Sequence, residues 1–196
     1  LLKNEHDALP LAAGKKLALF GNSAHDIIIG GTGSGDVHEA YSVTLPQGLE
    51  NAGYTTDKTL AQAYAEHIKA AKARRPETNP FLAPPPLPEL LPTVEQIDAA
   101  ATANDASVIT IGRNSGEFID RKAKDDFYLT EAEQTLIRNV SAAFHKAGKP
   151  VVVVLNIGGV IEVASWRDQV DAILLAWQPG QEAGHAMADV LSGKVN

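Results

Sequence analysis

Two stretches of this chain combine residue types that chemistry uses. The first is Gly30-Gly31-Thr32-Gly33-Ser34-Gly35-Asp36, where glycines flank a hydroxyl and lead to a carboxylate. Backbone N–H groups in such a loop can cradle an anion, and the missing Cβ atoms let the chain and Ser34 come close to a sugar ring. The second is Arg113-Asn114-Ser115-Gly116-Glu117-Phe118-Ile119-Asp120-Arg121, which sets Glu117 and Asp120 between two arginines. A Glu on a loop can act as a general acid when its surroundings favour the protonated form, whereas neighbouring guanidiniums hold a carboxylate ionised. The two carboxylates are therefore expected to differ in role. Glu117 is open to acid work, and Asp120 with Arg121 is expected to form a pair that shapes the loop. A solvated, salt-bridged loop without chemistry is the alternative.

Other chemistries fit poorly. A phosphate-binding P-loop needs Gly-Lys-Ser/Thr running straight into a helix, and a dinucleotide fingerprint needs its glycines directly after the strand. Here Gly21 to Ile29, nine residues, separate the first apolar run from the glycine loop. The loop is thus left as a sugar-approach site or a tight turn more than as a nucleotide cradle. The six histidines are scattered with no pair at helical spacing, so no metal and no cofactor are implied; His38, just behind the glycine loop, is expected to be structural or solvent-exposed. Ser34 and Ser115 lack the Gly-x-Ser-x-Gly strand-to-helix context of a hydrolase nucleophile. Trp166 and Trp177 are read as core anchors, with sugar stacking as the rival use.

These loops need elements to hold them. With 196 residues, the chain has room for one domain or one and a small appendage. Seventeen Lys and Arg against 24 Asp and Glu give net −7, which disfavours nucleic acid and anionic membranes as partners. No apolar run approaches the roughly 20 residues that cross a bilayer. There is no cysteine, which removes disulfides and thiolate chemistry and suits a reducing, cytoplasmic address. The chain begins without Met and stops just after an apparent helix end, as a piece of a longer protein would.

Short apolar runs predict strands at Leu17 to Phe20, Ser107 to Ile111, Val151 to Leu155 and Ala172 to Trp177. The run Val-Val-Val-Val-Leu shows no polar alternation, as expected of a central parallel strand covered on both faces. Helices are predicted at Leu60 to Arg74, Val94 to Ala103, Thr130 to Ala147, Ile161 to Arg167 and Gln181 to Leu191. Thr130 and Glu133 form the signature of a capping box. Alternating strands and helices give an α/β class, a three-layer sandwich around a mostly parallel sheet. Residues 1–14 read as an interdomain linker and 15–196 as the domain. The proline-rich stretch 75–92 reads as an excursion, either a spacer or a wall beside a ligand site. In open parallel sheets ligands bind beyond the carboxyl ends of the strands, where both candidate loops would lie.

Taken in order, Leu1-Leu2-Lys3-Asn4 with Leu9-Pro10-Leu11, the glycine loop, Ser115-Gly116-Glu117 with Asp120-Arg121, Val152 to Asn156, Ile161-Glu162 with Ser165-Trp166, and Trp177-Gln178-Pro179-Gly180-Gln181-Glu182 resemble the second domain of glycoside hydrolase family 3 over nearly the whole chain. The resemblance implies an α/β sandwich that forms half of a retaining β-glycosidase site, most simply a β-glucosidase acting on a β-linked glucoside or oligosaccharide. A TIM-type barrel of the same polypeptide would supply an Asp nucleophile. It further implies Glu117 as acid/base and Ser34, with Gly33 and Gly35 around it, as the contact to the sugar. Many relatives carry Gly after the catalytic Glu, where this chain has Phe118. Without its barrel the chain is expected to be inactive. The alternatives are a non-catalytic carbohydrate-binding module of the same fold and a flavodoxin-like nucleotide-binding domain.

Overall fold

The computed structural model describes residues 1–36, 38–76, 84–117 and 120–195. Its frame is a sheet in the order β1-β6-β5-β4-β2-β3, made of β1 (Lys3–Asn4), β2 (Lys16–Phe20), β3 (Thr55–Thr56), β4 (Ala106–Arg113), β5 (Val151–Ile157) and β6 (Ala172–Leu175). All neighbours are parallel except β1, which runs antiparallel to β6. Every residue of β5 is buried, which explains its unbroken apolar sequence: helices cover both of its faces.

Alternate strand residues feed two separate cores. Phe20, Ile109, Ile111, Val151, Val153 and Leu155 pack under α3 (Lys58–Arg74), α4 (Val94–Ala103) and α5 (Glu131–Lys146). Leu17, Leu19, Val108, Val152, Val154 and Leu174 pack under α2 (Leu45–Asn51) and α6 (Ala183–Leu191). This is the three-layer α/β sandwich the apolar runs predict. Thr130 and Glu133 close the expected capping box on α5, and Thr93 with Gln96 and Thr44 with Gln47 do the same for α4 and α2. A further helical turn, α1 (Asn22–His25), follows β2 directly.

Three expectations are corrected. The first 14 residues do not behave as a free linker: Lys3–Asn4 joins the sheet edge, and Ala8, Leu9 and Leu11 are buried in the second core. No helix spans Ile161 to Arg167. There the Glu162 carboxylate accepts from the amide (2.7 Å) and hydroxyl (2.6 Å) of Ser165, and the Trp166 indole N–H donates to the Glu162 carbonyl at 2.8 Å. These local bonds close one turn, which passes into a 3₁₀ turn at Arg167–Gln169. The fourth strand ends at Leu175, so of the two tryptophans only Trp166 is a core anchor; Trp177 is 47% exposed and adopts a left-handed backbone, φ +56°. In the proline-rich excursion, residues 77–83 lie outside the described residues, while 84–92 run without regular structure.

The chain leaves β2 for β3 on one side and returns to β4 on the other, which makes the β2/β4 gap the switch point of the sheet. Crossovers diverge there, and in open parallel sheets ligands bind at such a point, outside the carboxyl ends of the strands. The glycine loop follows β2 and the Glu117 loop follows β4.

Candidate functional site

The two loops meet. The glycine loop engages the Glu117 loop first at Thr32, whose N–H (2.9 Å) and hydroxyl (3.1 Å) both donate to the Ser115 carbonyl. Ser34 then donates its amide N–H to Glu117 Oε1 at 3.2 Å, and its hydroxyl is bonded to the same oxygen. Gly33, at φ +73°, lies under the carboxyl: a Cβ built there would come within 3.0 Å of Glu117 Cγ, Cδ and Oε2. So the glycine loop is an anion cradle of a kind, and in this structure its occupant is the chain's own carboxylate. Ser34 is exposed and Glu117 half-buried. Gly35 closes the 3₁₀ turn Gly33–Gly35, in which the Asp36 N–H donates to the Gly33 carbonyl at 3.0 Å.

The loops after β5 and β6 hold this pair in place. Asn156, buried at the end of β5, accepts from the Ile28 N–H and donates to the carbonyls of Ile28 and Trp177, each at 2.8 Å. One side chain therefore ties the stem of the glycine loop to the end of β6. The Gly180 N–H adds a hydrogen bond to the Ile29 carbonyl at 2.9 Å. On the other side Gln178 accepts from the Ser115 hydroxyl at 3.1 Å, and Gly158 has no side chain because a Cβ would sit 2.6 Å from that of Ser115. Asn156→Ala is expected to destabilise the fold by about 2 kcal/mol, since it orphans buried polar groups. Denaturant unfolding checks this, and an unchanged midpoint would contradict it.

Beneath the Glu117 loop lies a charged network. Arg113, buried at the end of β4, makes a forked pair with Glu133 at 2.5 and 2.7 Å and donates to the Asp126 carbonyl at 2.9 Å. Burial alone would lower the proton affinity of Arg113, but Glu133 and Asp126 more than reverse this and hold it charged. Arg121 reaches the Asp126 carboxylate at 3.1 Å and the Val160 carbonyl at 3.2 Å. The expected partnership between Asp120 and Arg121 is thus replaced: Asp126, five residues along, takes the guanidinium, while Asp120 is exposed. Arg121 is loop-shaping through a turn that sequence adjacency does not suggest. Phe118 and Ile119 lie outside the described residues.

Glu89 is the residue that sequence reasoning passed over. It comes from the proline-rich stretch and accepts from the amides of Asn22 (3.1 and 3.2 Å) and Leu90 (3.0 Å), at the start of the turn that leaves β2. Asn22 and His67 both bond the Pro88 carbonyl, at 2.8 and 2.7 Å. Pro88 and Glu89 are therefore pinned to the turn that leaves β2 and to α3. The signal available in the sequence was a lone acid within Leu87-Pro88-Glu89-Leu90-Leu91. Burial pushes the Glu89 carboxyl up to about 7, against the pull of the Asn22 amide. Because the folded state binds this proton more tightly than the unfolded chain, stability falls as pH rises from about 4.5 to about 7 and is level above that, by at most about 3 kcal/mol. Glu89→Gln should flatten that part of the pH–stability curve, and a slope unchanged by the substitution would refute the assignment.

His38 is exposed, and among the described residues no group of three or more His, Asp and Glu is placed to hold a metal. No helix among them is long and apolar enough to cross a membrane. What the site offers is one half-buried carboxyl on an irregular loop, steadied by a hydroxyl and a backbone amide, at the switch point of the sheet.

Known proteins resemble this chain in sequence and fold. The chain is 37% identical over its whole length to beta-glucosidase A of Butyrivibrio fibrisolvens, of which it covers 26%, and 30% identical to a beta-xylosidase of Formosa agariphila, of which it covers 25%. It superposes with TM-score 0.93 and 46% identity on beta-glucosidase 3B of Thermotoga neapolitana, solved in complex with alpha-D-glucose, matching 100% of this chain and 27% of that one. The chain thus spans about a quarter of the length of these relatives. The sequence profile of the glycosyl hydrolase family 3 C-terminal domain matches residues 1–196, and with the doubly wound fold and the loops at its switch point this establishes that the chain belongs to that family.

Proposed function

We propose that this domain supplies the acid/base of a retaining β-glycosidase, most simply a β-glucosidase, and that Glu117 is that residue. The observation that carries this reading is the placement of Glu117 on the loop after β4, at the switch point, with its carboxyl held by Ser34. A retaining enzyme needs two carboxyl groups about 5 to 5.5 Å apart, one to protonate the leaving oxygen and one to attack the anomeric carbon. The attacking Asp belongs to a barrel in the remainder of the polypeptide. In the first step Glu117 gives its proton to the glycosidic oxygen as the bond to the anomeric carbon breaks and the nucleophile's bond forms. In the second it takes a proton from the water that displaces the nucleophile.

The sugar side of the site is then built mostly by the barrel, and the glycine loop forms its near edge. The names of relatives, which include beta-glucosidases, a beta-xylosidase and exo-alpha-(1->6)-L-arabinopyranosidases, support a glycoside as the substrate class, with a β-glucoside the simplest choice. The test is Glu117→Ala in the full-length polypeptide, assayed on an aryl β-glucoside with a good leaving group, with and without azide. Lost turnover that azide restores, with β-glucosyl azide as product, supports the reading. Turnover that is unchanged overturns it.

A further inference from the structure

The family resemblance makes Ser34 a contact to the sugar, yet its hydroxyl is engaged elsewhere. Both donors of Ser34, the amide at 3.2 Å and the hydroxyl, fall on a single oxygen, Oε1 of Glu117. The other oxygen, Oε2, lies over Gly33, where no side chain stands. Glu117 itself sits on backbone outside the regular elements, two residues beyond the Ser115 tether, and among the described residues its carboxyl takes hydrogen bonds from Ser34 and from none of its own loop. The glycine loop, by contrast, is fixed twice: by Thr32 on the Ser115 carbonyl and by its own 3₁₀ turn. A tethered holder that binds one oxygen, with no hydrogen bond to the other among the described residues, is what an acid/base needs to work from a defined position.

We propose that Ser34 is a positioning residue for Glu117: it anchors Oε1, and Oε2 is the oxygen that gives the proton to the glycosidic oxygen and later takes one from water. The inference rests on the acid/base reading of Glu117 and goes beyond it by dividing the labour between the two oxygens and by giving Ser34 a partner other than the sugar. Gly33 belongs to the same device, because any side chain there would meet the carboxyl and would also have to adopt φ +73°.

The experiment is a set of variants of the full-length polypeptide assayed on phenyl β-glucoside, whose poor leaving group makes the first step depend on the acid. Ser34→Ala is expected to lower kcat about tenfold, a fraction of what a general acid contributes, while KM stays within about twofold. Ser34→Thr, which keeps the hydroxyl, should recover most of the loss. In a Glu117→Ala background assayed with azide on 2,4-dinitrophenyl β-glucoside, where no acid/base is needed, adding Ser34→Ala should change the rate less than about twofold, because Ser34 then has nothing to position. A rise in KM, or the same loss in both backgrounds, would make Ser34 a direct sugar contact and overturn the proposal; so would normal turnover of Ser34→Ala on phenyl β-glucoside. Failure of the acid/base reading is separate and visible in Glu117→Ala alone, as activity that persists without azide.

Discussion

Glu117→Ala in the full-length polypeptide is expected to cut kcat on 2,4-dinitrophenyl β-glucoside roughly 10²- to 10⁴-fold, the usual worth of general acid–base catalysis. The two steps separate cleanly with this substrate. Its phenolate departs without protonation, so glycosylation proceeds and kcat/KM falls little. Deglycosylation, which needs a base to activate water, becomes rate-limiting, the glycosyl-enzyme accumulates, and KM drops along with kcat. Azide attacks without a base and should raise kcat again. With phenyl β-glucoside the first step also needs the acid, so kcat/KM should fall with kcat and azide should not help. A substrate-independent loss, or one that azide never relieves, would place the acid/base on another residue.

Gly48→Ala is expected to be the most damaging small change in the fold. Helices α2 and α6 cross with their backbones in contact: a Cβ at Gly48 would stand 2.0 Å from the Gly184 carbonyl oxygen and 2.7 Å from the His185 nitrogen. The close approach is reciprocal, since a Cβ at Gly184 would stand 2.0 Å from the Thr44 carbonyl oxygen. Backbone cannot rotate out of the way as a side chain can, so the helices must separate, and Leu45 and Leu49 lose their packing on Met187, Ala188 and Leu191. We expect a loss of about 4 kcal/mol, larger than common overpacking because no side chain can yield, and on the order of 10 °C in the melting of this domain. Gly53→Ala is the control: its φ is +90° but nothing lies within 4 Å, so only backbone strain of about 1 kcal/mol is at stake. Calorimetry of the full-length polypeptide compares the two, and equal melting shifts would refute the close-crossing argument.

The helix crossing also bears on the site. The exit of the glycine loop is pinned to the start of α6 by paired backbone bonds, the Val43 N–H to the Gln181 carbonyl at 2.8 Å and the Gly184 N–H to the Val43 carbonyl at 2.9 Å. Tyr41 adds its hydroxyl to the Glu182 carboxylate, which His185 meets from the other side at 2.6 Å. These bonds hold Glu182 below the ordinary carboxylate range and push the Tyr41 hydroxyl up. Prying α6 from α2 would loosen Ser34 and, through it, Glu117.

What the sequence determined by itself was whatever depends on neighbours along the chain. The four long strands, the helices at 58–74, 94–103 and 131–146, and the capping box of α5 are set by local periodicity and by side chains three residues apart, and they are legible for that reason. The α/β class follows from their alternation, and the order of motifs carries the family. Where local and distant forces competed, the sequence was misleading: Lys3–Asn4 and Thr55–Thr56 have too few residues to show a pattern and are strands only because a sheet edge stood ready to pair them. Ile161 to Arg167 carried a helical spacing, but Glu162 satisfied the local donors first.

The candidate site divides in the same way. Glu117 and Ser34 could be chosen one by one from their loops, but that they touch across 83 positions of sequence was decided by the return of the chain through the switch point. The pairing of Arg121 with Asp126, the span of Asn156 from the stem of the glycine loop to the end of β6, and the burial of Glu89 against the turn after β2 are likewise products of packing. Hydrogen bonds between distant loops have no period and leave no mark in a single sequence, so only the tertiary structure could say what holds the carboxyl of Glu117.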